Sequence, residues 1–321
     1  MRKIALEEHF VTPQLAAYGA TTASVAEPRT WQEASRRLLD FTEERLPAMD
    51  AAGIDVEVLS LNAPGIQAET DAATAVSRAA AVNDFLAGVV ADNPARFSGF
   101  AALPLQDPEA AAKELERAVT QLGLRGALVN AHTQGRYLDH PSLRTVWEHA
   151  EGLDVPLYLH PANGFDVAHV LSDHPELVGP MWSWGSDTAA HALRLVFGGV
   201  FDDFPEARLL LGHMGEGLPY MLGRLDSRWG FHDHHGIELA RGNPSHYLRH
   251  NLYVTTSGVT SAPPLLCALL ALGADHILLG TDYPFEDMAT AAHFLDDAPI
   301  SEADRAKISH QNAEALLHLS G

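Results

Sequence analysis

The chain reads as an α/β protein, a parallel (β/α)8 barrel of the TIM type, and three observations predict it. Eight short aliphatic runs bounded by turn residues alternate with helical patterns. The runs are nearly all apolar rather than alternating, as parallel strands covered on both faces must be. The conspicuous acids and imidazoles fall just where such runs end, at the C-terminal strand ends where barrels of this kind place their chemistry. A length of 321 residues with 46% hydrophobic content suits one such barrel, so a single domain over residues 1–321 is expected.

The first strand, Lys3–His9, runs through Ile4-Ala5-Leu6 into Glu7-Glu8-His9. The long connection Phe10–Thr30 reads as a rim-loop insertion over the site (10–30). A helical pattern at Trp31–Ala52 leads to the second strand, Asp55–Asn62, and one at Ala72–Val90 to the third, Phe97–Leu103. Asp107–Leu122 precedes the fourth strand, Gly126–Asn130, and Leu143–Glu151 the fifth, Pro156–His160. A second rim-loop insertion (164–185) and a helix over Ser186–Phe204 lead to the sixth strand, Arg208–His213. The seventh, Leu252–Thr256, is followed by the helix Ala262–Leu272 and the eighth strand, His276–Asp282. Several helices open on acidic or hydroxyl residues that can cap an N-terminus.

A formal charge of -21, from 42 acidic against 21 basic residues, argues against nucleic-acid or anionic-membrane partners, which need clustered Lys and Arg. The single cysteine, Cys267, lies in an apolar run and allows no intramolecular disulfide, in keeping with a cytoplasmic setting. The N-terminus enters the site-bearing strand directly, so a cleaved signal peptide is not expected, and no apolar run reaches the ~18 residues of a membrane span.

Alternate residues of a strand share a face, so Glu7 and His9 point together while Glu8 points away. Glu-x-His is therefore a two-ligand pincer. If the strands ending at His160, His213 and Asp282 converge on the same rim, the pocket suits Zn²⁺ or Mn²⁺ and is too nitrogen-rich for Ca²⁺. With 18 histidines in the chain, it is the joint placement of Glu7, His9, His160 and Asp282 that points to metal. By the same standard, His232-Asp233-His234-His235, in a polar loop after the sixth barrel helix, reads as a solvated surface feature. The only lysines are Lys3, Lys113 and Lys307, none at a strand's C-terminal end. A carbamylated lysine bridging two metals is thus not expected, and one metal ion is.

His213 and Glu216 sit three apart across a strand-to-helix turn, close enough for the carboxylate to orient the imidazole in a proton-transfer dyad. The alternative is that Glu216 caps the next helix. Arg224 can clamp an anionic substrate or join a salt bridge, and Asn130 can donate to substrate or hold a loop. Trp182, Trp184, Phe165 and Phe285 are candidates for aromatic walls.

At Ala5-Leu6-Glu7-Glu8-His9-Phe10, Pro156-Leu157-Tyr158-Leu159-His160-Pro161, His191-Ala192-Leu193-Arg194-Leu195, Leu211-Gly212-His213-Met214-Gly215-Glu216-Gly217-Leu218-Pro219-Tyr220 and Gly280-Thr281-Asp282-Tyr283-Pro284-Phe285-Glu286, the chain resembles a known family. It is similar to the metal-dependent amidohydrolase-related decarboxylases, especially the hydroxybenzoate group with γ-resorcylate (2,6-dihydroxybenzoate) and 2,3-dihydroxybenzoate decarboxylases. The resemblance covers nearly the whole chain. It implies an amidohydrolase-like barrel in which Glu7, His9, His160 and Asp282 hold one divalent metal. It further implies His213 and Glu216 as a second catalytic layer, Arg224 and Phe285 near a small aromatic carboxylate, and a homodimer or homotetramer.

The implied reaction is reversible, metal-dependent, non-oxidative decarboxylation of an ortho-hydroxybenzoate. Direct loss of CO₂ would leave an aryl carbanion in the ring plane, out of reach of the π system, so protonation of the carboxyl-bearing carbon should come first. Asp282 is assigned as the acid, with His213 and Glu216 relaying or orienting protons. A metal ligand prefers to be ionised whereas an acid must carry a proton, a tension relieved if Asp282 binds weakly or shifts when substrate arrives. Reversibility predicts carboxylation of a phenol at high bicarbonate. The rival reading is a mononuclear metal-dependent hydrolase of a lactone, ester or amide, using metal-activated water. A third is a catalytically dead, metal-stabilised scaffold.

Overall fold

The computed structural model describes residues 1–19, 26–166 and 168–319. Its strands are β1 (Ile4–Phe10), β2 (Val56–Leu61), β3 (Phe97–Gly99), β4 (Ala101–Ala102), β5 (Ala127–Asn130), β6 (Leu157–His160), β7 (Leu209–Leu211), β8 (Leu252–Thr255) and β9 (Ile277–Leu278). All adjacent pairs are parallel, in the orders β1-β2-β3 and β4 through β9. Only Phe100 separates β3 from β4, and its amide donates to Leu59 O, so the two are one barrel stave. At the other end Leu6 bridges Gly280 and its amide donates to Leu279 O at 3.0 Å, which brings β9 back to β1. Eight staves therefore make the expected TIM-type barrel.

Two apolar layers hold it. Ile4, Leu6, Val56, Val58, Phe100, Leu128, Tyr158, Leu210 and Leu278 fill the interior, with Leu316 and Leu317 of the C-terminal segment packed against them. The larger layer, with Trp147, Phe201, Leu115 and Leu195, seals the helices onto the outside of the sheet. Each such fully buried side chain contributes about 1.5–3 kcal/mol. The helix starts follow the capping chemistry anticipated from sequence: Asp71 accepts from Thr74 N, Asp107 from Ala110 N and Ser301 from Asp304 N. No helix among the described residues is long and apolar enough to cross a membrane.

Two helices expected to be continuous are broken. Trp31–Ala52 is instead Pro28–Leu38 and Arg45–Ala52, because the Asp40 carboxylate accepts from the amides of Glu43, Glu44 and Arg45 and starts a new helix. Ser186–Phe204 is instead Ser183–Phe197 and Val200–Asp203, interrupted where Gly199 takes φ 72°. The rim segment 10–30 carries a 3-10 turn at Ala16–Gly19, and 164–185 carries turns at His169–Leu171 and Pro175–Leu177. Residues 20–25 of the first and 167 of the second lie outside the described residues.

The deviation that matters most is in β1. Its pairing with β2 slips between Leu6 and Glu8, and Glu7 takes φ 68°. Ile4 and Leu6 face the barrel interior, so strict alternation would also send Glu8 inward and Glu7 and His9 outward. The one-residue bulge resets the phase, turning Glu7 and His9 in and Glu8 out.

Candidate active site

Glu7, His9, His160 and Asp282 meet at the C-terminal rim, each offering one ligand atom, all within 4.8 Å of one another. His9 Nε2 lies 3.3 Å from Asp282 Oδ1, and His160 Nε2 lies 3.4 Å from Glu7 Oε1. The Glu7 carboxylate is held from one side only. Its Oε2 accepts from Tyr158 Oη, Ser257 Oγ and Thr255 Oγ1, while Oε1, buried and turned toward the histidines, has no hydrogen-bond partner. His9 Nδ1 contacts Ser60 Oγ at 3.3 Å, leaving its Nε2 buried and equally without a partner. Orphaned buried polar atoms cost free energy, and two converging on one point are what a divalent cation would satisfy. Burial, then the neighbouring His9, pushes the His160 imidazole well below its usual range, so it is neutral as a ligand must be. The cluster suits one divalent metal ion.

Glycine makes room for this arrangement. A Cβ on Gly212 would meet both Glu7 carboxylate oxygens, at 2.5 and 2.6 Å. The sharp turn after β7 is a run of left-handed residues, His213 (φ 50°), Met214 (φ 54°), Gly215 (φ 75°), Glu216 (φ 54°) and Gly217 (φ 78°). Non-glycine residues in this region cost roughly 1–3 kcal/mol each and persist where surroundings hold them. The turn folds Glu216 back on His213, whose Nδ1 lies 2.7 Å from Glu216 Oε1. His213 Nε2 then faces Glu7 Oε1 and Asp282 Oδ2, each at 3.7 Å. Burial opposes charge on His213, but Glu7, Glu216 and Asp282 outweigh it and hold the imidazole well above its ordinary range. Asp282 is the reverse: burial would raise it, and the close His213 and His9 imidazoles hold it well below the usual carboxylate range.

Above the cluster is a cavity of about 660 Å³. His160, His213, Glu216 and Asp282 line its floor, and Trp31, Trp182, Trp184 and Phe285 line its walls. The Phe285 ring centroid is 5.9 Å from that of His9 and 6.4 Å from that of Trp31, stacked at 17°. Trp184 is braced by Nε1 donating to Asn163 Oδ1 at 2.7 Å.

Other expected contacts fall elsewhere. Arg224 does not line the cavity: the helix Leu218–Trp229 turns Leu218 and Leu222 inward, so Arg224, two positions on from Leu222, projects to the exposed face. Asn130 is buried, does not line the cavity and holds a loop, its Nδ2 donating to Leu61 O and its amide to Gln67 Oε1, both at 3.4 Å. Phe165 packs on His132, away from the walls. His234 is stacked on Trp229 at 3.7 Å, and its His232–His235 neighbours are exposed. Lys3 pairs with Asp296 and Lys307 with Asp275, neither at the site.

Tyr158, Thr255, Ser257 and Trp31 escaped sequence reasoning. Tyr158 had a signal, standing two residues before His160 and so on the same face of β6. The hydroxyls at the end of β8 had none, being distant in sequence from every candidate ligand.

The Amidohydrolase family model (Amidohydro_2) matches residues 9–319. The γ-resorcylate decarboxylase of Polaromonas sp. (strain JS666) is 45% identical over 325 residues, 99% of each chain. A crystal structure of a 2,6-dihydroxybenzoate decarboxylase complexed with 2,6-dihydroxybenzoate superposes with a TM-score of 0.94 at 43% identity, covering 99% of this chain and 100% of that one. The dihydroxybenzoic acid decarboxylase of Polaromonas sp. JS666, with bound manganese and the inhibitor 2-nitroresorcinol, gives a TM-score of 0.91 at 44% identity, covering 99% and 97%.

Proposed function

The chain belongs to the amidohydrolase family, and from that premise we propose that it decarboxylates 2,6-dihydroxybenzoate or a close ortho-hydroxybenzoate. It is an enzyme, a metal-dependent carboxy-lyase that removes CO₂ non-oxidatively from a hydroxylated aromatic acid. The observation that carries this is the pair of unpartnered atoms, Glu7 Oε1 and His9 Nε2, converging with His160 and Asp282 beneath an aromatic-walled cavity. Glu7, His9, His160 and Asp282 would hold the ion, and manganese is our choice over zinc because a solved relative carries it. When bound, the ion supplies Lewis acidity that stabilises the phenolate and carboxylate of the substrate.

The residues do the rest. Phe285 and Trp31 hold the ring over the floor, and the walls thin the water around it. His213, with its charge supported by Glu216, carries the proton in the resting site. Asp282, ionised at rest, takes that proton across the 3.7 Å gap and passes it to the carboxyl-bearing carbon. The C–C bond then breaks, its electron pair restores the aromatic ring, and CO₂ leaves. This ordering relieves the conflict between ligand and acid, because Asp282 is protonated only in passing. The reverse sequence carboxylates a phenol at high bicarbonate. We also propose that the chain is one domain and forms a homo-oligomer in the cytoplasm; Tyr220, in the helix Leu218–Trp229, and Phe231 just past its end are 81% and 75% accessible and support an interface there.

The test is incubation of Mn²⁺- and Zn²⁺-loaded enzyme with ortho-hydroxybenzoates, following phenol and CO₂ release. Release of both, abolished by chelation and restored by metal, is expected. Metal-bound enzyme that releases no CO₂ yet opens lactones or cleaves esters or amides would overturn the proposal in favour of hydrolysis.

A further inference from the structure

On the far side of β1 from the cavity lies a fully buried charged group that the chemistry above does not use. Glu8, Arg45 and Glu57 are each 0% exposed. Arg45 Nη1 donates to Glu57 at 2.8 Å and Nη2 to the His9 carbonyl, while the guanidinium lies 4.6 Å over the Tyr283 ring. Glu8 Oε1 accepts from Thr281 N at 2.9 Å, and Oε2 accepts from Thr281 Oγ1 at 2.6 Å and Tyr283 N at 3.4 Å. Glu8 thus grips the residues on either side of Asp282, which itself sits in the left-handed region at φ 64°.

We propose that Glu8 is a positioning residue for Asp282: turned outward by the β1 bulge, its carboxylate clamps the Thr281–Tyr283 turn and thereby aims Asp282 at the ion and the substrate. Burying a carboxylate is costly and weak ground for keeping it for stability alone, whereas three donors converging on this one fix a backbone that would relax elsewhere. The bulge links the two roles: the register slip that sends Glu7 and His9 to the site is what sends Glu8 to the clamp. Substitutions that orient a ligand from behind commonly cost 10–100-fold, by rough measure, in metal affinity or turnover. The proposal rests on the reading of Asp282 as ligand and proton carrier.

Four variants test it: Glu8→Gln, Thr281→Val, Thr281→Ser and Asp282→Asn. Each is measured by calorimetric titration with Mn²⁺, by kcat and KM on 2,6-dihydroxybenzoate at saturating Mn²⁺, and by thermal melting. Thr281→Val keeps the shape and removes one donor; it is expected to lose about tenfold or more in Mn²⁺ affinity or kcat, with KM little changed and the protein folded though lower-melting, because a buried carboxylate oxygen loses a donor. Thr281→Ser keeps the donor and is expected to recover most of that loss. If Glu8→Gln does not fold, the Thr281 pair still decides. Wild-type behaviour of Thr281→Val, or equal losses in the Val and Ser variants, overturns the clamp while the reading of Asp282 stands provided Asp282→Asn is impaired. An Asp282→Asn variant with full Mn²⁺ affinity and turnover removes both.

Discussion

His213 Nδ1 lies 2.7 Å from Glu216 Oε1 across a turn made entirely of left-handed residues, so the dyad exists only because the backbone after β7 accepts that strain. The other ring nitrogen faces Glu7 and Asp282. Glu216 is therefore placed to set the charge of His213 while lying outside the cluster of Glu7, His9, His160 and Asp282.

Replacing Glu216 by Gln keeps a hydrogen bond but removes the charge that supports protonated His213. A positioned acid–base group contributes about 10²–10⁴-fold, and here only its supporting partner is altered, so kcat is expected to fall about 10–100-fold. Mn²⁺ content should be unchanged, and the loss of activity with rising pH should begin at lower pH, because His213 gives up its proton sooner. Unchanged kcat with an unchanged pH profile would sink the dyad.

Gly212→Ala probes the metal site from the backbone. The added Cβ would sit 2.5 Å from Glu7 Oε2, so Glu7 must leave its hydroxyl cradle. Ligand displacement of this kind is expected to weaken Mn²⁺ binding by at least about tenfold, read as metal retained after gel filtration and as loss of Mn²⁺-dependent thermal stabilisation. Retention of full affinity would mean that Glu7 is not a ligand.

The barrel and the convergence of Glu7, His9, His160 and Asp282 were legible in the sequence because both depend on local signals: aliphatic runs, and polar residues at their ends. Glu7 and His9 were paired by strand alternation, yet the alternation itself is broken at Glu7, and the pairing survives because Glu7 is the inserted residue and alternation resumes from it. For Arg224 and Asn130, each left between a substrate contact and a structural role, the choice was not legible, because helix phase relative to the barrel and the contacts of a strand end are tertiary facts. The Tyr158, Thr255 and Ser257 cradle was invisible for the same reason, since residues 97 positions apart meet only once the sheet closes.

Trp31 enters the cavity from the helix after the first rim segment and stacks on Phe285. Its partner lies beside His9, but Trp31 itself touches no ligand residue among the ring contacts. Loss of an aromatic pair costs about 0.5–1.5 kcal/mol, so Trp31→Ala is expected to raise KM for 2,6-dihydroxybenzoate roughly 2–12-fold, with kcat little changed. A fall in kcat at constant KM would instead place Trp31 in the chemical step.

His191, remote from the metal ligands, predicts acid sensitivity of the fold. It is 2% exposed and accepts a hydrogen bond from Leu138 N at Nε2, 2.7 Å away. Burial, then Arg194 and His132, pushes its pKa down to about 3 from an ordinary 6.5. The native state therefore keeps His191 neutral where the unfolded chain binds a proton. Stability from this group is complete above pH 6.5 and declines as pH falls toward 3, by about 1.4 kcal/mol per pH unit. Between pH 7.5 and 5.0 the loss is about 2 kcal/mol. His191→Gln retains an acceptor for Leu138 without titrating, so urea unfolding of the variant should lose about 2 kcal/mol less over that interval than wild type. Equal losses in the two proteins would show that the native state accommodates the charged imidazole.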